Sequence, residues 1–298
     1  MKVKFWGVRG SIATPGKSTM RYGGNTSCTE VHLDNGNLLI LDAGTGIRNL
    51  GNKLVAGKKK VRAYIMITHP HWDHIQGFPF FRPAFIEGNE ITIVGPEANG
   101  VKLDEIISEQ MNKIYFPVKL SELDAKINFI PLGEGSINAL GATVETIYVN
   151  HPGFTVGYKI TFRNKTLAYI SDNEPYSRET AHYFTNNELR VLKLFENYPG
   201  DPNRRTIDFI KGADVLIHDS TYTPEQYRDH IGWGHSDYLF TLKVAAQAGV
   251  KKLFLFHYDP SLNDKSVDKI LDRCKAEIRK KKYDLEIHGA REGLEFKI

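Results

Sequence analysis

Within six residues, His69-Pro70-His71-Trp72-Asp73-His74 gathers three imidazoles and a carboxylate. Imidazole and carboxylate together suit zinc, manganese or iron. His69 and His71, as i, i+2 neighbours, can point one way; Asp73 and His74 lie past a turn and can point to a second position. One metal takes about four ligands. The cluster therefore seeds two half-sites, each needing partners from elsewhere in the chain. The plain alternative is a polar loop with chance histidines, but burying so many unpaired donors and acceptors without a metal would be costly.

The elements around this loop must hold it rigidly. The apolar run Ala63-Tyr64-Ile65-Met66-Ile67 precedes it and reads as a buried strand, so the ligand types stand where a strand gives way to a loop. The same placement recurs three more times. A strand over 142–149 ends at His151, and one over 166–170 delivers Asp172, whose two oxygens can take one metal each. A strand over 250–256 ends at His257. A lone histidine after a strand is usually structural; the recurrence is what makes these candidates. Asp42 closes an apolar strand over 37–41 and fits either a helix cap or a carboxylate holding a metal-ligating histidine. His235 precedes a helix expected from about Tyr238 to Ala248, capped by Ser236 or Asp237, a place suited to meeting an anion. In the glycine-rich stretch 9–28, Arg9, Arg21, Asn25, Thr26 and Ser27 offer donors to an anion, or else form a plain surface loop. His32 and His182 read as structural and solvated, and Cys28 as a small buried hydrophobe. The stretch 77–81 is aromatic and reads as packing under the metal loop or as part of a substrate wall, 103–111 has helical spacing, 115–118 and 127–131 read as extended, and 286–298 closes the chain with strand character.

Composition sets outer bounds. The 298 residues suffice for a sizeable core, with 41% apolar and 25% charged residues, ordinary for a soluble globular protein. No apolar run approaches the roughly 20 residues of a membrane helix. Two cysteines are too few for a disulfide framework, and with no secretory apolar segment at the start the expected compartment is the cytoplasm. A net charge of +4 mildly favours anionic substrates and does not by itself establish nucleic-acid binding.

The His-x-His-x-Asp-His pattern resembles the metal-binding motif of the metallo-β-lactamase superfamily, and the order of strand-end ligands resembles it across nearly the whole chain. The resemblance implies an α/β fold, a four-layer αβ/βα sandwich, as a single domain over 1–298 with a surface insertion at about 174–211. It implies two divalent cations, zinc first, with manganese or iron as alternatives. His69, His71 and His151 would hold one metal, Asp73, His74 and His257 the other, and Asp172 would bridge them. A carboxylate rather than a cysteine at 172, and the stretch from Gly234-His235-Ser236 to Phe256-His257, resemble the phosphodiesterase branch that includes ribonuclease Z and cyclic phosphodiesterases. That implies phosphodiester hydrolysis by a hydroxide bridging the metals, with Asp73 orienting it and His235, held by Asp219, assisting. Asn25, Thr26, Ser27 and Ser236 would line the phosphate side. The branch carries glutamate where this chain has Asp219. Only about 20 residues separate His151 from Asp172, so the long tRNA-gripping arm of ribonuclease Z is missing there. The expected substrate is thus a small or cyclic nucleotide-type phosphodiester. A ribonuclease Z-like nuclease, or a thioesterase or lactonase on the same scaffold, is the rival, and a homodimer is an expectation carried by the relatives.

Overall fold

A computed structural model describes residues 1–98, 100–177, 196–198 and 200–298. Among the described residues, fourteen strands form two sheets. The first contains β1 (Lys2–Gly7), β2 (Cys28–His32), β3 (Leu38–Leu41), β4 (Arg62–Met66), β5 (Glu90–Gly95), β6 (Lys126–Pro131) and β14 (Glu295–Lys297), in the order β14-β1-β2-β3-β4-β5-β6. The second contains β7 (Gly135–Ala139), β8 (Ala142–Tyr148), β9 (Val156–Phe162), β10 (Lys165–Ile170), β11 (Val215–Asp219), β12 (Lys252–Phe256) and β13 (Glu286–Gly289), in the order β13-β12-β11-β10-β9-β8-β7. Strands β3 to β6 run parallel, as do β10 to β13.

The central strands are buried on both faces, which is why they read as continuous apolar runs. Period-2 alternation then sorts their side chains between two cores. Leu39, Leu41, Met66 and Val94 point between the sheets, where they meet Tyr158, Ile160, Leu167 and Phe256. Ile40, Ala63, Ile65, Ile91 and Ile93 point outward against α1 (Ile47–Ala56) and α3 (Leu103–Glu109), through Ile47, Leu50, Leu103 and Ile107. The outer face of the second sheet is covered by α6 (Tyr238–Gln247) and α7 (Asp264–Lys281), which bury Leu242, Ala245, Val267 and Ile270. The result is helix, sheet, sheet, helix: the expected four-layer αβ/βα sandwich.

Three short helices complete the description: α2 (Trp72–Ile75) carries the metal-ligand motif, α4 (Arg204–Phe209) packs on α6, and α5 (Pro224–Tyr227) leads into the 228–235 loop. Beneath the motif, Phe78 and Phe81 are buried in the outer core as expected, but Phe80 is exposed. The extended segment expected at 115–118 is a run of turns, with the Tyr115 N–H donating to Asn112 O at 2.8 Å. The closing strand expected over 286–298 is two strands in different sheets: β13 pairs with β12 and β14 with β1. The His182 reading and half of the insertion expected at 174–211 lie outside the described residues. Among those described, no helix is long and apolar enough to cross a membrane.

Candidate metal centre

Open parallel sheets leave a crevice beyond the carboxyl ends of their strands, and the ligand-type residues collect there. β3 runs out into Asp42, β4 into Thr68 and His69, β10 into Asp172, and β12 into His257; Asp219 is the last residue of β11, and β8 leads to His151. The sheets are pinned together at this edge. Tyr158 of β9 donates its hydroxyl to Ile67 O at 2.6 Å, and Tyr169 of β10 donates to Asp42 Oδ2 at 2.8 Å.

All seven expected ligands converge. His71 Nδ1 lies 2.9 Å from His69 Nε2 and 3.1 Å from His151 Nε2. Asp172 Oδ2 stands 3.7 and 3.8 Å from the nitrogens of His69 and His151. Its other oxygen, Oδ1, faces the second group, at 3.2 Å from His74 Nε2 and 3.4 Å from His257 Nε2. Asp73 Oδ2 completes that group at 3.2 Å from His74 Nε2 and 3.1 Å from His257 Nε2. The two donor sets therefore share Asp172, one oxygen each.

The outer partners fix which ring nitrogens are available. His74 Nδ1 lies 2.9 Å from Asp42 Oδ2, and a carboxylate only accepts, so that nitrogen carries the proton. The same logic puts a proton on His151 Nδ1, 2.8 Å from the Gly234 carbonyl. Asp42 Oδ1 accepts the Thr68 hydroxyl at 3.0 Å, leaving Thr68 Oγ1 to accept from His69 Nδ1 at 3.1 Å. Asp219 Oδ1 takes the Thr221 hydroxyl at 2.6 Å, and Thr221 accepts in turn from His257 Nδ1 at 3.1 Å. Each of these four imidazoles is left with an Nε2 lone pair turned inward, the usual arrangement of metal-ligating histidines.

The electrostatics agree with a cation site. Burial drives His69 well below 6.5, lowers His71, and holds His151 at about 3, so these rings are neutral donors. Burial alone would raise Asp73 and Asp172, but the imidazoles around them hold both carboxyls well below the usual range. Burial likewise opposes charging His74, yet Asp73, Asp172 and Asp42 outweigh it and push its pKa well above 6.5, so these carboxylates draw positive charge to its Nε2, a proton without metal or a cation in that proton's place. Most telling are the buried His74 Nε2 and Asp172 Oδ1, which lie 3.2 Å apart and make no hydrogen bond. Orphaned buried polar atoms of this kind are what a divalent ion would satisfy. The donor set, nitrogens and carboxylate oxygens without thiolate, fits one.

Beside the cluster lies His235, its ring 5.0 Å from that of His257 and 5.1 Å from that of His151. Its Nδ1 meets Asp219 Oδ2 at 3.1 Å. Asp219 is fully buried and saturated, since Oδ2 also accepts the Asn173 and Ser236 N–H groups and Oδ1 the Thr221 N–H. Burial opposes the charge on His235, but Asp219, Asp172 and Asp73 raise its pKa to about 9. Aspartate thus reaches His235 here without the longer glutamate arm. Asp237, not Ser236, caps α6, accepting from Leu239 and Phe240 N–H.

The structure does not bring the expected substrate-side donors to the metal cluster. Thr26 and Ser27 are fully buried, with Thr26 Oγ1 accepting from the Thr45 N–H. Asn25 gives both its backbone and side-chain N–H groups to Glu292, at 2.6 and 2.9 Å. Ser236 is buried too and donates to Asn173 O at 2.5 Å. Arg9 is fully buried and gives its guanidinium to the Gly23 and Leu262 carbonyls. What the glycine-rich loop does bring to the centre is backbone. Ser11 N–H donates to Asp73 Oδ2 at 2.8 Å, and a Cβ on Gly10 would lie 2.2 Å from the His257 ring. Residue types could not have flagged a main-chain donor, nor Thr68, Thr221 and the Gly234 carbonyl as partners of ligating rings. Asp42 was legible in that role, standing between a strand and glycines.

Comparison with known proteins agrees with this geometry. Residues 37–193, more than half of the chain, match the model of the β-lactamase superfamily domain. The chain is 27% identical to a protein named ribonuclease Z from Thermoplasma acidophilum, over 90% of this chain and 89% of that one. It is 28% identical to the ribonuclease Z of Aeropyrum pernix, over 74% and 78%. Among solved structures it is similar in fold to the metallo-β-lactamase fold protein YhfI of Bacillus subtilis, with a TM-score of 0.67 at 19% identity over 99% and 98% of the chains. A diphosphatase of the PhnP family matches at 0.65 and 17% identity, over 100% and 97%. The short form of human tRNase Z matches at 0.63 and 17%, over 100% and 99%.

Proposed function

We propose that this chain, which belongs to the β-lactamase superfamily, is a metal-dependent hydrolase that cleaves phosphodiesters, its single domain built on both sheets. The observation that carries the reading is the convergence of six ligand-type side chains around Asp172, with the His235–Asp219 pair beside them. His69, His71 and His151 would hold one divalent cation, Asp73, His74 and His257 a second, and Asp172 both; zinc is the first expectation, with manganese or iron next. Bound there, such ions supply Lewis-acid polarisation of phosphoryl oxygens and make an attacking water more acidic. The relatives named ribonuclease Z support phosphate-ester chemistry over thioester or lactone cleavage.

The protein's own groups then have distinct tasks. Asp73, its Oδ2 fixed by the Ser11 N–H and His257, orients the attacking oxygen. His235 is protonated at neutral pH, with Nδ1 committed to Asp219, so Nε2 carries the proton for the departing alkoxide. Asn25, Thr26, Ser27 and Ser236 act in this reading as internal struts rather than as contacts to substrate. The organic arms of the ester instead meet Ile12, Trp72 and Trp233, exposed side chains next in sequence or nearly so to Ser11, Asp73 and His235.

A small or cyclic nucleotide-type ester is favoured over tRNA because His151 and Asp172 are joined by nothing longer than the β9–β10 hairpin, which turns at Arg163 and Asn164. The buried, unpaired thiols of Cys28 and Cys274 fit a reducing cytoplasm. A homodimer remains the expected assembly, checked by sedimentation. The activity is tested with bis(p-nitrophenyl) phosphate, cyclic nucleotides and a pre-tRNA, on protein whose metal content is measured in the same sample. Release of p-nitrophenol or ring opening of a cyclic nucleotide is expected. Fully loaded protein that cleaves thioesters or lactones but no phosphodiester would falsify the reading.

A further inference from the structure

We infer that Glu174 is the positioning residue of this centre: its carboxylate sets the loop that both places His235 and orients His151. The inference rests on the reading of the metal centre above. Glu174 is fully buried, and the partners that meet its carboxylate at hydrogen-bonding distance are neutral groups on a single stretch of chain. Oε1 accepts from the Tyr227 hydroxyl at 2.9 Å and the Gly232 N–H at 2.8 Å, and Oε2 accepts from the Gly234 N–H at 2.9 Å. Its own N–H donates to Asn150 O at 2.7 Å, so the same residue is anchored to the segment that carries His151. A buried carboxylate is costly, and one that meets three donors on one loop is held there by that loop's geometry.

Gly234 is the hinge of the arrangement. Its N–H faces Glu174, its carbonyl accepts from His151 Nδ1 at 2.8 Å, and its successor is His235. Gly232 and Gly234 both adopt left-handed backbone, with φ of 88° and 87°, and a Cβ on Gly234 would lie 2.3 Å from His151 Nδ1. The loop therefore passes flush against one ligating ring while delivering the proposed acid. Other backbone hydrogen bonds of the loop are local, such as His230 N–H to Tyr227 O at 3.0 Å and Trp233 N–H to His230 O at 3.1 Å. They fold the loop on itself without fixing it to the site. Beside the His235–Asp219 and Gly234–His151 contacts, Glu174 is the tie that grips the loop's own N–H groups, and a shift in it moves His151 and His235 together.

The test is E174Q, which keeps the shape of the side chain. Whichever way the amide faces, its NH2 meets either the Gly234 N–H or the Gly232 and Tyr227 donors, so one of the two grips is lost. Three readings are taken on folded protein: hydrolysis of bis(p-nitrophenyl) phosphate, zinc affinity by competition with a chelator, and hydrogen exchange of the 228–235 peptide. We expect kcat to fall about tenfold or more with KM within about twofold, zinc affinity to weaken by about tenfold, and exchange in the loop to speed up. Should E174Q not fold, Tyr227→Phe removes one donor and is expected to move all three readings the same way by a few-fold. Folded E174Q, or failing that Tyr227→Phe, with all three readings at the unsubstituted level overturns the inference. Failure of the hydrolase reading is distinguishable, because the unsubstituted protein would then hydrolyse nothing while zinc affinity and exchange still report on Glu174.

Discussion

At the scale of single residues, the centre depends as much on the atoms that aim the ligands as on the ligands. Asp42, forced into left-handed backbone at φ 60°, fixes His74 and at the same time takes the Thr68 N–H, the Thr68 hydroxyl and the Tyr169 hydroxyl. Asp42→Ala is therefore expected to weaken divalent-cation affinity by about 10- to 100-fold, measured by chelator competition, although Asp42 is not itself a proposed ligand. His235→Ala should do the opposite, lowering kcat by about 10²-fold or more with metal content unchanged. The sign of the pH dependence follows from its raised pKa. The ring is the charged, proton-bearing form below about 9, so activity that needs that proton falls as pH rises through 9. Cations bound to Asp172 and Asp73 cancel part of the negative charge that raises it, so the alkaline limb should lie at or below about 9. His235→Ala should abolish that limb. The ligating types were legible in the sequence because imidazoles and carboxylates recur at strand ends. Their partners were not, because a threonine or a main-chain carbonyl acquires such a role only when folding brings it to a ring.

At the scale of elements, a second polar cluster ties β1, β2 and α1 together away from the metal centre. Glu30 of β2 is buried and accepts from Trp6 Nε1 at 2.7 Å, meets His32 Nε2 at 2.6 Å, and takes Lys53 Nζ at 3.2 Å. Burial works against its charge, but the His32 and Trp6 hydrogen bonds and Lys53 hold its pKa at about 2, below the ordinary 4.5. A carboxyl depressed in the folded state stabilises it fully above pH 4.5, and the contribution is lost as pH falls from 4.5 toward 2. With Lys53 half exposed, the effect is on the order of 2 kcal/mol. In denaturant unfolding, E30Q should be less stable than the parent at pH 7, and the gap should narrow as pH falls below 4.5 and close only toward pH 2; a constant gap would contradict this. Strands rich in Ile, Leu and Val were legible from pattern. β7 was not, because Gly135, Ser136 and Asn138 are poor strand formers and only edge pairing with β8 makes them one. The aromatic run at 115–118 misled for the converse reason. Its side chains favour strands, but among the described residues no strand pairs with it, and Tyr115 is left exposed.

At the scale of the whole molecule, the donors come from both sheets: His69, His71, Asp73 and His74 from the first, and His151, Asp172 and His257 from the second. A cation bound among them joins the two halves of the sandwich. Binding to the folded chain alone raises its stability by about 4 kcal/mol when the free ion is at a thousand times its dissociation constant. Chelation should therefore lower the thermal midpoint, and the midpoint should rise again with added zinc; a midpoint indifferent to both would show that the ion does not bind the folded state selectively. The layer order of the sandwich was legible through resemblance. The parting of the last two strands into different sheets was not, because no local pattern marks which sheet a strand will join.

Two of the three tryptophans are open to solvent, Trp72 at 80% and Trp233 at 62%, while Trp6 lies partly covered beneath Lys4 and Lys53. Trp72 is sandwiched in sequence between His71 and Asp73, and Trp233 rests edge-on against the His230 ring at 4.7 Å. The molecule thus carries its own optical gauge. Its red-edge emission is expected from indoles at the start of α2 and on the 228–235 loop, beside the proposed cation and ester sites, so occupancy and local movement can be followed by intrinsic fluorescence without any label. Single Trp→Phe replacements at 72 and 233 would tell which loop is speaking.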